Sequence, residues 1–398
     1  MRVLPFVCGT LVTFGTIVGS GSSPQSTKAP AIDDSRLLLI PAAQLERATR
    51  GPEAAPAPLR ADADRALTLK PTSVMDKTIT PPSGDKHDYM SQAPYWWPDP
   101  QKPDGKPYIR KDGQRNPEIN RLPDHDNLGQ LTSAVATLGL AYRLHNMPAY
   151  AEHAARLTRT WFLDPATRMN PHLKFGQGIP GINEGRGIGI IETRGLPDLL
   201  DGIVLISSSG AWTKTDEAGL QAWMRDYVAW LTTSTYGQEE SKNGNNHETW
   251  YDVQVASLAL YTGQRDLARR TLEGSRARID RQFEPDGRQP RELERTRSFD
   301  YSEFNLTAFF NLAVLGDRLG VDLWNYRSAD GRSLRRGLDF LVPYAAGEKK
   351  WDFDQITPFS GGTISNILRR GAVGWNEPKY RALAEKLGGG STRVRLLY

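Results

Sequence analysis

The run Asn243-Gly244-Asn245-Asn246-His247-Glu248-Thr249-Trp250-Tyr251-Asp252 lies between two apolar patterns, and its reading decides the architecture. Asn-Gly-Asn-Asn is turn and cap chemistry, unsuited to a helix interior. Directly after it, residues 250–261 are apolar nearly all round, the pattern of a helix buried on every side. The stretch therefore marks the mouth of an inner helix. Three amides, an imidazole, two carboxylates and two aromatics are gathered there.

Outward from this point the same logic repeats. Residues 304–319 are again apolar all round, whereas 266–283 between them are strongly charged on one side. Dry and wet helices in alternation predict two concentric layers, with the dry ones inside. Upstream, Leu131, Val135, Leu138 and Tyr142 recur at helical spacing, as do Tyr150, Ala154, Leu157 and Trp161. A helix through Leu196, Leu199, Ile203 and Ile206 has Pro197 in its first turn. Thr215-Asp216-Glu217 opens the next, with a stripe of Leu220, Trp223, Tyr227, Trp230 and Leu231. Further stripes mark 334–341 and 378–387, and a first helix is expected over 34–47, before a Pro/Ala-rich break at 52–58. Residues 71–123 and 170–194 keep no period. A long structureless stretch in a compact protein is usually functional, so 71–123 is expected to form a cleft wall or lid. With no strand alternation and no solenoid repeat, the expected fold is mainly α: a single α/α toroid, an incomplete barrel of helical hairpins.

The 398 residues, 38% hydrophobic, describe a soluble globular protein of one large domain or two average ones. The net charge of +4 agrees with an anionic partner but does not demand one, and the absence of a Lys/Arg block argues against nucleic acid. Met1-Arg2, an apolar run to about Val18 and small residues to Ser23 read as a signal peptide over 1–23. A disordered leader is expected over 24–33 and the toroid domain over 34–398. The apolar run is short and broken by Pro5 and Gly residues, so stable membrane insertion is not expected. The one cysteine, Cys8, lies in the signal segment, which leaves the exported chain without thiol chemistry. The expected location is secreted or periplasmic, and the chain is read as a monomer.

No His-x-x-x-His, Gly-x-Ser-x-Gly or phosphate-binding glycine loop occurs, and neither a metal nor a cofactor is expected. The other polar cluster is Arg291-Glu292-Leu293-Glu294-Arg295-Thr296-Arg297-Ser298-Phe299-Asp300-Tyr301, after the turn Pro285-Asp286-Gly287. It too enters an apolar helix. In a toroid, two such helix starts can converge on one end of the barrel.

Asn245-Asn246-His247 with Trp250-Tyr251-Asp252, Arg295-Thr296-Arg297-Ser298 and Tyr301-Ser302-Glu303-Phe304-Asn305 together resemble the alginate-lyase superfamily of polysaccharide lyases. Tyr95-Trp96-Trp97-Pro98 and Gly189-Ile190-Ile191-Glu192-Thr193-Arg194 are also similar to members of that group. The resemblance covers roughly residues 90–345 and implies an α/α toroid acting by β-elimination on uronic-acid polymers. It implies Asn246 and Arg295 as donors neutralising the substrate carboxylate, His247 as helper or base, and Tyr301 as the group that moves the C5 proton. On this reading Arg295 and Arg297 would favour the Tyr301 phenolate. Trp96, Trp97, Arg194 and Trp250 are the expected substrate-binding residues, and the partner is an anionic uronic-acid polysaccharide. The spacing from Arg295 to Tyr301 is a residue shorter than in the best-known alginate lyases, and resembles a branch that includes mannuronan and glucuronan lyases.

Each residue has a plainer alternative. Arg295 could pair with Glu292 or Glu294, the two tryptophans could pack a loop, and Arg194 could hold its own segment through Glu192. At the level of the protein, the alternatives are an α/α-toroid glycoside hydrolase using two carboxylates and a non-catalytic carbohydrate-binding protein.

Overall fold

In a computed structural model, residues 29–50 and 57–398 are described. The expected signal peptide, the first part of the expected leader and most of the 52–58 break lie outside them. The helices in chain order are α1 (Ala42–Arg50), α2 (Ala57–Leu67), α3 (Asp124–His145), α4 (Pro148–Phe162), α5 (Leu196–Ile206), α6 (Lys214–Thr233), α7 (Thr235–Glu240), α8 (Asn246–Tyr261), α9 (Arg265–Gln282), α10 (Pro290–Leu293), α11 (Ser298–Asp317), α12 (Leu334–Ala345), α13 (Gly361–Gly374), α14 (Pro378–Leu387) and α15 (Thr392–Leu397).

The layers follow from burial. In α8 fourteen of sixteen residues are buried, in α9 only five of eighteen, so α8 lies inside and α9 covers it. Neighbour contacts run α3–α5–α8–α11–α13 around the inner ring, with α4, α6, α9, α12 and α14 packed outside. This is the mainly helical α/α toroid expected from the alternation of wet and dry helices. Where α3 and α5 cross, Gly139 meets Gly202. A Cβ on Gly139 would lie 2.4 Å from the Gly202 carbonyl oxygen, so the two backbones approach as only glycine allows.

Between the last hairpin and the first, short elements close the gap. Helix α15 touches both α13 and α1, and the Tyr398 hydroxyl donates to the Leu39 carbonyl at 3.1 Å. Here the helix expected over 34–47 is corrected. A 3-10 turn at Asp34–Arg36 gives way to a bent, non-helical run over 37–40, and α1 begins only after Pro41. The cause is tertiary: the backbone N–H groups of Leu38, Leu39 and Ile40 all donate to the buried Asp201 carboxylate of α5. The end of the expected disordered leader is also held, because Ala29 is buried and Arg143 donates to the carbonyls of Ala29 and Pro30.

Residues 71–123 contain no α-helix. They carry β1 (Met90–Gln92), β2 (Trp96–Trp97) and β3 (Ile109–Arg110), and β1 pairs in parallel with β4 (Phe175–Gly178) from the other irregular segment. Strands β2 and β3 form an antiparallel arm. A fully buried ion pair, Lys77 to Asp124 at 3.0 Å, ties the segment to the start of α3. The irregular segment is thus an anchored wall over one end of the barrel.

Candidate active site

The wall and the inner helix mouths enclose a cleft of about 600 Å3. Asn246, His247, Arg295 and Tyr301 all line it, so the two polar clusters do converge. A larger cavity, about 680 Å3, lies at the far ends of α8 and α11. Two of its arginines are engaged, Arg36 with Glu217 and Arg318 with the Asp34 and Ile40 carbonyls, and none of the four expected catalytic residues lines it.

Asn245 caps α8, its side chain accepting from the His247 N–H at 3.1 Å. That turn delivers Asn246 and His247 to the cleft. Asn246 is fully buried and clamped by Glu292 of α10, which accepts from its backbone N–H at 2.6 Å and its amide Nδ2 at 2.7 Å. The Asn246 Oδ1 is buried without a partner. Burial raises the Glu292 pKa, and the two Asn246 bonds work against that rise. His247 has its Nδ1 2.8 Å from the buried Glu240 of α7, whose other oxygen accepts from Asn243 Nδ2 at 2.6 Å. A carboxylate facing Nδ1 requires the proton there, which turns Nε2 toward the cleft.

The two carboxylates of the opening stretch have a different task. Glu248 and Asp252 face outward and bind Arg278 of α9, and Glu248 also binds Arg281 at 3.0 Å. Gln282 links Thr249 to Asn305 of α11. They hold the inner helix to its neighbours.

Arg295 pairs with neither Glu292 nor Glu294. Asp112, in the turn just after β3, takes its guanidinium with Nη2 at 2.7 Å and Nε at 3.1 Å. Burial would raise the Asp112 pKa, but the Arg295 bonds and the Thr296 N–H hold it far below the usual carboxylate range. The same guanidinium stacks 3.6 Å from the centre of the Tyr301 ring. The Tyr301 hydroxyl donates to that of Tyr95 at 2.8 Å. Burial and the Tyr95 bond drive the Tyr301 pKa well up, and Arg295 only partly opposes them. Arg295 thus favours the phenolate, as expected, but burial outweighs it. Arg297 is engaged with Asp300 at 2.7 Å.

The four expected substrate-binding residues part company. Trp96 and Arg194 line the cleft. Arg194 makes one weak bond, to the Ile191 carbonyl at 3.2 Å, with its guanidinium 5.6 Å from the Phe304 ring centre. It forms no ion pair with Glu192, whose carboxylate instead accepts from Tyr89 at 2.7 Å and Ser91 at 2.6 Å. Trp97 points away along β2, with its indole N–H on the Gln114 carbonyl and Lys111 over its ring. Trp250 is buried behind the wall, its ring 5.1 Å from Phe304, and is corrected from a sugar contact to a support for one.

Sequence reasoning passed over Tyr95, Asp112, Arg186, Glu240 and Glu292. Tyr95 stood at the head of the quoted Tyr-Trp-Trp-Pro block, where the tryptophans drew attention. The carboxylates carried no signal, being five among 46 acidic residues when Glu248 and Asp252 are included with Asp112, Glu240 and Glu292. Six arginines line the cleft against Asp126, Glu192 and Asp300, so its lining is cationic. Among the described residues no group of His, Cys, Asp and Glu is arranged to hold a metal ion, and no helix is long and apolar enough to cross a membrane.

Residues 73–351 match the family model described as alginate lyase. An alginate lyase from Bacteroides ovatus is 41% identical over 91% of this chain and 98% of that one, with a TM-score of 0.87. Alginate lyase A1-III from Sphingomonas species A1 aligns over 89% of this chain and 92% of its own at 18% identity and a TM-score of 0.55. A variant of A1-III complexed with a tetrasaccharide aligns over 92% and 93% at 16% identity and a TM-score of 0.59. These two likenesses are of fold. Among curated proteins nothing matches. With the family model spanning well over half of the sequence, the chain belongs to the alginate lyase family of polysaccharide lyases.

Proposed function

We propose that the protein is an exported lyase that cleaves β-1,4-linked polyuronates by β-elimination, with mannuronate-rich alginate ahead of glucuronan. The observation that carries this reading is the convergence of Asn246, His247, Arg295 and Tyr301 on one arginine-lined cleft. The apolar, small-residue-ended run over 1–23 supports export, and the 41% identical alginate lyase from Bacteroides ovatus supports the substrate class.

The chemistry assigns each group a task. A base takes the C5 proton, the electron pair passes through the developing carboxylate-stabilised anion into a C4–C5 double bond, and the C4–O bond breaks. The departing oxygen takes a proton. Neutralising the sugar carboxylate makes C5 acidic enough, and preorganised donors do this best. Asn246 Nδ2 carries a second N–H beyond the one on Glu292, and Arg295 supplies the positive charge. His247 presents Nε2 as helper or base. Tyr301 is the proton shuttle. In mannuronate and glucuronate the C5 proton and the C4 oxygen leave from the same face, so one hydroxyl serves as base and then as acid. The two sugars differ at C2, away from these atoms.

The test is ultraviolet absorbance of the conjugated product during incubation with polymannuronate, glucuronan and mixed alginate. Absorbance should rise, fastest on polymannuronate. Reducing ends without absorbance would establish hydrolysis instead, and neither signal would leave a binding protein. Tyr301→Phe should lower kcat by about a hundredfold or more, the scale of a lost general acid–base, while oligomer affinity is kept.

A further inference from the structure

Arg186 is a cation without an ion-pair partner among the described residues, although it lines the cleft and is mostly buried. Its single side-chain bond runs from Nη2 to the Gln177 Oε1 at 2.8 Å, and its Nε is buried with no partner. Burial pulls its pKa down to about 10, with the charge of Arg110 adding to the fall and the more distant carboxylates of Glu192, Glu240 and Glu239 opposing it. A largely buried guanidinium with an unbonded Nε is costly, and folds keep such arrangements chiefly where something else completes them.

The surroundings are built to hold it there. Gln177 is buried and adopts a left-handed backbone, φ 52°, inside β4, a conformation rare for a residue other than glycine. Its N–H is fixed by the Ser91 hydroxyl of β1 at 2.8 Å. Strain of this kind persists where neighbours over-determine it, and it clusters at ligand clamps. Arg110 of β3 lines the same cleft, half-exposed and tied by its Nη2 to Asp112 at 2.7 Å. Two guanidinium groups thus line one cleft from two segments and repel each other, and an anion bound between them would offset that repulsion and satisfy the orphaned Nε.

We propose that Arg110 and Arg186 form a second carboxylate subsite, which receives the uronate neighbouring the one that reacts. The proposal rests on the polyuronate reading above and deepens it: recognition then requires carboxylates on two sugars. Asn246 and Arg295 answer to the reacting sugar. Arg186 answers to its neighbour and touches no reacting atom, which makes it a binding residue.

The experiment is calorimetric titration of the Tyr301→Phe protein with mannuronate tetrasaccharide and with the same tetrasaccharide fully methyl-esterified. Adding Arg186→Gln should weaken binding of the acid form by about tenfold, as expected for one lost charge-assisted contact. It should leave the ester within about twofold, and Arg186→Lys should recover part of the loss, which guards against a merely misfolded variant. In the Tyr301-containing enzyme, Arg186→Gln should raise KM with little change in kcat. Equal losses for acid and ester, no loss for either, or no binding of the acid form by the parent would each overturn the subsite. Because binding is read without turnover, the two readings fail separately. A protein that yields no unsaturated product but still shows the acid-specific loss keeps the subsite and loses the lyase mechanism.

Discussion

Tyr301 is held between Arg295 on its face and Tyr95 at its hydroxyl, and the two neighbours act on its proton in opposite senses. The Tyr95 hydrogen bond and burial stabilise the neutral phenol, and Arg295 stabilises the phenolate. Removing the bond with Tyr95→Phe should lower the Tyr301 pKa. If the phenolate is the base, the alkaline rise of kcat/KM then moves to lower pH, which a pH–rate profile measures; a shift upward would count against this role. The four residues proposed for chemistry were legible because they stand in short ordered blocks at the mouths of apolar helices. Their partners were not. Glu240, Glu292 and Asp112 reach the site from α7, α10 and the turn after β3, and no local pattern distinguishes a carboxylate that orients an imidazole from one that meets water. Even Glu248, next to His247 in sequence, turned out to face α9, as does Asp252.

Helices were readable wherever one side is dry and the other wet, because that pattern survives in the spacing alone. Helix α13 escaped notice because glycines at 361, 362, 371 and 374 interrupt its stripe, and α1 starts late because Asp201 claims the backbone before it. The crossing of α3 and α5 was equally hidden, since Gly139 and Gly202 read as weak points in their helices until the contact is seen. Gly139→Ala would raise intrinsic helix propensity, yet it drives a methyl into backbone that cannot yield. Overpacking of this kind typically costs about 1–3 kcal/mol, against a propensity gain of about 1 kcal/mol. The variant should therefore lose stability in urea denaturation, and a gain would show that the helices separate easily. The same substitution at Gly274, with nothing within 4 Å of its added carbon, should be stabilising.

Across the whole molecule, the ring is closed through Asp201, whose carboxylate gathers three N–H groups of the chain leading to α1. Burial raises its pKa to about 6 despite those bonds. A raised carboxyl pKa means that the folded state holds the proton more tightly than the unfolded one. The group's contribution to stability is therefore complete below the unfolded pKa, near 3.8, and is lost as pH rises through about 6. The difference in unfolding free energy between the parent and Asp201→Asn should be largest near pH 4. It should shrink by about 1–3 kcal/mol by pH 7.5, and a gap that widens with pH would refute the assignment. The two-layer architecture could be inferred from alternating helix character, but the closure could not. It depends on a pairing between residues more than 150 positions apart, which leaves no periodic trace.

Asp112 already gives Arg295 a carboxylate before any sugar arrives. On the proposed role of Arg295, its capture of a uronate is an exchange of one anion for another, not the neutralisation of a bare charge. Asp112 stays in the site and keeps Arg110, so the incoming carboxylate meets a charge already partly offset, and added salt should affect that step less than it would at an unpaired arginine. Discrimination there falls to shape: the incoming carboxylate must fit the planar guanidinium at least as well as an aspartate held in the turn after β3. The protein carries its own competitor, and every ligand is measured against it.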